Sequence, residues 1–202
     1  MKDETWEKIH KERMWGLYPE TTIVKYIRKY FPDPKKNKRL QVLDLGCGAG
    51  ANTWFLAEQG FDVYGIDISP TAIKHAKDTL KKRGVKATLD VAPMEKIPFV
   101  GQSFDIVIDC HSLQHAEDVE KAMAEIRRVL KVGGVYFGLL VGADASIEKG
   151  WGPVQFFDSK GIQRLFESFS LYRKTYITCH YFNRKIMDNN IETYWVIEAV
   201  KN

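Results

Sequence analysis

Between residues 40 and 141, short apolar runs alternate with segments whose apolar side chains recur every three or four positions. Strands joined by helices in this rhythm build a largely parallel sheet covered on both sides. Residues 40–45 form the first run, bounded by glycine, as suits a strand buried on both faces. Residues 51–59 read as a helix stopped by Gly60, and residues 62–67 as a second strand. Ser69 and Pro70 open the next helix as N-cap and first position; it runs to Arg83 and ends at Gly84. Strands follow at 85–91 and 104–109, then a helix at 118–130 and a fifth strand at 135–140, after Gly133-Gly134.

The flanks differ. Residues 3–14, with Trp6, Ile9 and Met14, and residues 20–30, with Ile23, Ile27 and Tyr30, read as two helices, the second ended by Pro32-Asp33-Pro34. After residue 141 comes a glycine-rich loop at 142–153, then a helix at 159–167 capped by Asp158 or Ser159. The β-rich segments 171–179 and 193–200 have no helix between them and can pair antiparallel, because a parallel pair needs a longer crossover.

Composition narrows the class without naming a function. A chain of 202 residues, 45% hydrophobic and 28% charged, suits one globular domain. No run of about 18 apolar residues suggests a membrane span, and Met1-Lys2-Asp3-Glu4-Thr5-Trp6 lacks the features of a secretory signal. Cys47, Cys110 and Cys179 are odd in number and far apart, which fits a reducing cytoplasm rather than a disulfide framework. The five histidines (10, 75, 111, 115 and 180) show no ligand spacing beyond the pair His111/His115, so no metal site is expected. The net charge of +4 is mild, and Lys35-Lys36-Asn37-Lys38-Arg39 reads as a solvated connection rather than a nucleic-acid patch.

The densest chemical signal is Val42-Leu43-Asp44-Leu45-Gly46-Cys47-Gly48-Ala49-Gly50. Small residues after a buried strand let the backbone turn sharply and approach a ligand, and the helix that follows offers free N–H groups. Asp67 ends the second strand, where a carboxylate can accept both hydroxyls of a ribose. Gly46, Gly48 and Ala51 also match a G-x-G-x-x-A pattern, which alone would suit a dinucleotide. Asp44 decides against it: an acid two residues before the first glycine repels a pyrophosphate, yet is comfortable beside a sulfonium and an α-amino group.

On these residues the segment resembles motif I of the class I S-adenosylmethionine (AdoMet)-dependent methyltransferases, with Asp67 similar to their ribose-binding acid. The likeness covers residues 40–141, about half the chain, and includes Met94-Glu95-Lys96-Ile97-Pro98-Phe99, similar to the family segment that wraps adenine, and Arg127–Gly134 before the fifth strand. Pro93 stands where members often carry an acid that contacts the adenine amino group; backbone near Met94 or the Glu95 side chain is the substitute.

The resemblance implies a Rossmann-like three-layer α/β sandwich whose seven-stranded, mostly parallel sheet closes with an antiparallel hairpin. It divides the chain into a helical lid (1–39), an AdoMet-binding core (40–141) and a substrate-side region (142–202). The implied cofactor contacts are Trp15, Tyr18, Asp44, Gly46, Cys47, Gly48, Gly50, Asp67, Ile68, Met94, Glu95, Asp109, Cys110 and His111. S-adenosylmethionine is the expected cofactor, S-adenosylhomocysteine the product, and a small molecule the acceptor of a chain that is a monomer or homodimer. His111 and His115, in the loop after the fourth strand, are candidate general bases, and a reaction with no protein base stays open. Trp6, Trp151, Phe156, Phe157, Tyr181 and Phe182 are candidates to frame an acceptor or to pack the flanking segments. A noncatalytic nucleoside-binding protein, a methyltransferase acting on RNA or protein, and an NAD-type oxidoreductase are the competing readings.

Overall fold

A computed structural model describes residues 2–14, 16–143, 154–182 and 189–202. Seven strands form one sheet in the order β3-β2-β1-β4-β5-β7-β6. They are β1 (Gln41–Leu45), β2 (Asp62–Asp67), β3 (Thr88–Val91), β4 (Phe104–Cys110), β5 (Leu130–Val141), β6 (Phe169–Phe182) and β7 (Asn189–Lys201). The first five run parallel, while β7 is antiparallel to both β5 and β6. The order reverses at β1, which lies between β2 and β4, so a crevice opens beyond the carboxyl ends of β1 and β4.

Alternation along the strands divides the core in two. Leu43, Val107, Tyr136, Leu140 and Ile197 join Met123 and Ile126 of α6 (Val119–Val129), and Ile162 and Leu165 of α7 (Ser159–Leu165), on one face. Val42, Val63, Ile106, Ile108, Phe137 and Val196 point the other way. There they meet Ile23 and Ile27 of α2 (Thr21–Tyr30), Phe55 and Leu56 of α4 (Ala51–Glu58) and Leu80 of α5 (Pro70–Arg83). Each such large apolar side chain contributes roughly 1.5–3 kcal/mol on burial. The period of two also fixes where the strand acids point, since Asp44 shares a face with Val42, and Asp109 with Val107.

Several boundaries differ from the sequence pattern. The strand expected at 135–140 begins at Leu130, because β5 already pairs there with Phe104 before an irregularity that includes Gly133, at φ +76°. The third strand is confined to Thr88–Val91, while β6 and β7 extend well past the expected 171–179 and 193–200. The basic run is not merely solvated connection: Asp33 caps a short helix, α3 (Pro34–Asn37), whose buried Asn37 donates to the carbonyls of Phe31 and Gln59. Helix α2 is fastened to the sheet by Tyr26, which stacks on Phe137 at 3.8 Å and donates to Glu198 at 3.0 Å. Among the described residues no helix is long and apolar enough to cross a membrane, and no group of three or more His, Cys, Asp or Glu is placed to hold a metal.

Candidate functional site

The glycine loop turns as its composition requires. Gly46, Gly48 and Gly50 have φ of +64°, +52° and +83°, a region costly for residues with a Cβ. Gly46 is doubly constrained, because a Cβ there would collide with Ser112 of the loop after β4. Gly50 caps α4 and packs against Ala76 of α5, drawing both helices to the crevice. Cys47 is buried within the turn, and burial pushes its thiol well above the ordinary range, so it fills space rather than reacts.

Three carboxylates end beneath or beside this loop. Asp67, 9% exposed, accepts from the backbone N–H groups of Gly48 and Ser69, both at 2.9 Å. Asp44 is 1% exposed and accepts from the Thr53 hydroxyl at 2.5 Å, as expected for a residue on the α4 side of the sheet. Burial, reinforced by the nearby Asp67 and Asp109 charges, pushes its carboxyl up to about 7. Asp109, on the opposite face, accepts from Tyr136 Oη at 2.7 Å and from the N–H groups of Ser112 and Leu113; burial raises it to about 6. A Cβ on Gly138 would strike the Tyr136 ring, so that glycine makes room for the tyrosine. This concentration of buried negative charge favours a cationic ligand and opposes a pyrophosphate.

The loop after β4 holds the two histidines apart. His111 has φ +59°, uncommon for a residue with a side chain, and its N–H donates to the Leu139 carbonyl at 3.0 Å. Its ring meets Tyr194 of β7 edge-on at 5.6 Å. His115 closes a short 3₁₀ turn (Leu113–His115), and its ring lies 4.8 Å from Trp6 of α1 (Lys2–Glu12). Cys110 is half-exposed, and burial of its sulfur pushes its thiol up.

Not every expected contact gathers here. Tyr18 is 79% exposed, on the connection that Gly16 bends at φ +69°, so the structure does not bring it into the crevice. Glu95 Oε1 accepts from the N–H groups of Glu117 and Asp118 at the start of α6. Met94 and Ile68 are half-buried, Met94 against the α6-side core. Trp15, Trp151 and most of the glycine-rich loop lie outside the described residues, as do the side chains of Tyr181 and Phe182. Phe157 belongs to the core, whereas Phe156 lines, with Glu120 and Arg164, a cavity of about 390 Å³ that shares no residue with the glycine loop.

Residues not anticipated in the sequence come from α1. Glu7 accepts from Ser69 Oγ at 2.6 Å, Thr71 N at 3.0 Å and Thr71 Oγ1 at 2.6 Å, and these bonds, that of Ser69 foremost, lower its carboxyl to about 2. His10, one turn later, is 3% exposed. The available signal was the spacing Trp6, Glu7, His10, which places these three side chains on one helical face.

A family model for the methyltransferase domain matches residues 43–138, which hold the glycine loop, Asp67 and the strand carrying Asp109. The chain carries a class I S-adenosylmethionine-dependent methyltransferase domain. Ajmaline N-methyltransferase of Rauvolfia serpentina is 34% identical over 107 residues, 51% of this chain and 36% of that one. Ubiquinone biosynthesis O-methyltransferase of Sinorhizobium fredii is 32% identical over 145 residues, 68% of this chain and 58% of that one. The chain thus spans about a third to three-fifths of the length of these curated relatives. A solved structure from work on the conversion of a disulfide bond into a thioacetal group during echinomycin biosynthesis superposes with a TM-score of 0.80. At 19% identity, covering 100% of this chain and 93% of that one, it shows that the methyltransferase domain and its N- and C-terminal flanks share one known fold.

Proposed function

We propose that this methyltransferase domain works as an enzyme that passes the methyl group of S-adenosylmethionine to a small-molecule acceptor. The observation that supports this most is the meeting of a positive-φ glycine loop with Asp67 at the mouth of the crevice and with Asp44 and Asp109 buried behind it. Asp67 would hold the ribose hydroxyls; the Gly46–Gly50 backbone would approach the amino-acid end, within the field of Asp44; Met94, Ile68 and residues 109–111 would line the remainder. The cofactor supplies a methyl group already activated on a positively charged sulfur, so the chain mainly aligns, desolvates and, for some acceptors, removes a proton.

His111 is the group we assign to that proton, because its strained backbone turns it out at the end of β4 and Tyr194 backs its ring. His115 is better suited to holding the lid, since it packs on Trp6. The matched relatives are named for N- and O-methylation of small molecules, and this supports the acceptor class without choosing the atom. Incubation with AdoMet and a panel of alkaloid, phenol and amine acceptors, followed by quantifying S-adenosylhomocysteine, tests the proposal. Acceptor-dependent product supports it; AdoMet binding with no product from any acceptor would favour a noncatalytic nucleoside-binding role.

A further inference from the structure

Helix α1 crosses the same crevice and brings a residue whose chemistry is incomplete. Two neighbouring side chains at its middle fix its position: Glu7 is held by Ser69 and Thr71 at the start of α5, and Trp6 rests on His115. One turn on, the His10 ring packs beside Gly48, whose N–H donates to Asp67, with its Cε1 3.8 Å from where a Cβ on Gly48 would stand. Asp67, His75 and Glu7 are the charged or titratable groups whose fields it feels. Yet His10 Nδ1 is buried and has no hydrogen-bond partner among the described residues. Buried polar atoms are nearly always paired, so an unpaired one on a ring packed beside the glycine loop points to a ligand atom.

We propose that His10 is a cofactor-contacting residue, its Nδ1–H donating to a ribose hydroxyl oxygen whose own proton is given to Asp67. This rests on the cofactor reading above and extends it to a residue outside the glycine loop and the β2 acid. The arrangement suits a nucleoside with an intact ribose. Asp67 uses one lone pair of each oxygen on Gly48 and Ser69, and the second lone pairs accept from hydroxyls. A hydroxyl that donates to Asp67 keeps acceptor capacity for one donor, and His10 stands beside it. Burial favours the neutral ring, which still carries the single N–H required.

Calorimetric titration of the full chain with S-adenosylhomocysteine and with its 2′-deoxy and 3′-deoxy analogues tests this on wild type, His10→Phe and His10→Asn. Removing one hydrogen bond is expected to weaken S-adenosylhomocysteine about tenfold in His10→Phe. Against one of the two deoxy ligands that variant should match wild type, and His10→Asn, whose amide can stand near Nδ1, should recover much of the loss. Undiminished affinity in His10→Phe, or an equal loss with the ribose and both deoxy ligands, would overturn the assignment and leave His10 a packing residue. Circular dichroism melts of each variant identify any that is unfolded, and His10→Asn then carries the comparison. Wild type that binds none of the three ligands would instead overturn the cofactor reading itself.

Discussion

Asp44→Asn changes one atom's charge at a place where the fold makes charge expensive. The folded chain holds this carboxyl at about 7 against an ordinary 3.8, because it is 1% exposed and shares its surroundings with Asp67 and Asp109. A folded value above the unfolded one means that its contribution is fully present below about pH 4 and is lost as pH rises through about 7. At roughly 1.4 kcal/mol per pH unit, the rise corresponds to a ceiling of about 4 kcal/mol. Asparagine keeps an oxygen for the Thr53 hydroxyl but brings a second amide hydrogen into a buried place where the neutral carboxyl had one O–H, costing about 1 kcal/mol. The variant is therefore expected to be about 1 kcal/mol less stable than wild type at pH 4.5 and about 1–3 kcal/mol more stable at pH 8. Urea unfolding between these pH values, extrapolated to water, measures both. A stability difference that stays constant across the range would refute the argument that Asp44 carries a charge under strain.

Three further outcomes are expected. Asp67→Ala should weaken S-adenosylmethionine binding by about 1–3 kcal/mol, the cost of leaving ribose hydroxyls unmatched, and calorimetry with unchanged affinity would remove Asp67 from that role. Tyr136→Phe leaves Asp109 without one of its donors and raises its carboxyl further, so a loss of about 1–3 kcal/mol should appear above pH 6 and fade below it; a pH-independent loss on chemical unfolding would assign it to packing alone. His111→Ala should lower turnover with little change in cofactor affinity, as single-turnover kinetics beside calorimetry would register, whereas unchanged turnover would leave His111 as lining.

The alternating core was legible because its punctuation is local. Ser69-Pro70 opens α5 and Gly84 closes it in the left-handed conformation, as their chemistry requires. The glycine loop and Asp67 could be paired because one strand–helix–strand unit brings them together within about twenty residues. What escaped the sequence depends on contacts between distant segments. Nothing near Glu95 indicates that its carboxylate is taken up by the start of α6, 22 residues away. Tyr18 is aromatic and close to the lid, yet it points outward, since periodicity does not specify how a connection with a left-handed glycine bends. Glu7 and His10 were missed for the same reason: Ser69, which donates to Glu7, and Asp67, whose charge His10 feels, lie more than fifty residues on, and only the packing of α1 across α5 joins them. Asp44 was recognised as negative, but its complete burial and its hydrogen bond to Thr53 follow from strand alternation under α4.

Competitive calorimetry bears most directly on the charge preference of the crevice. Protein at pH 8 is titrated with S-adenosylmethionine, first alone and then in the presence of excess NAD. Three buried carboxylates around a tight glycine turn predict one-site binding of the sulfonium nucleoside that NAD leaves unchanged. NAD that binds the same site and displaces S-adenosylmethionine would contradict the account.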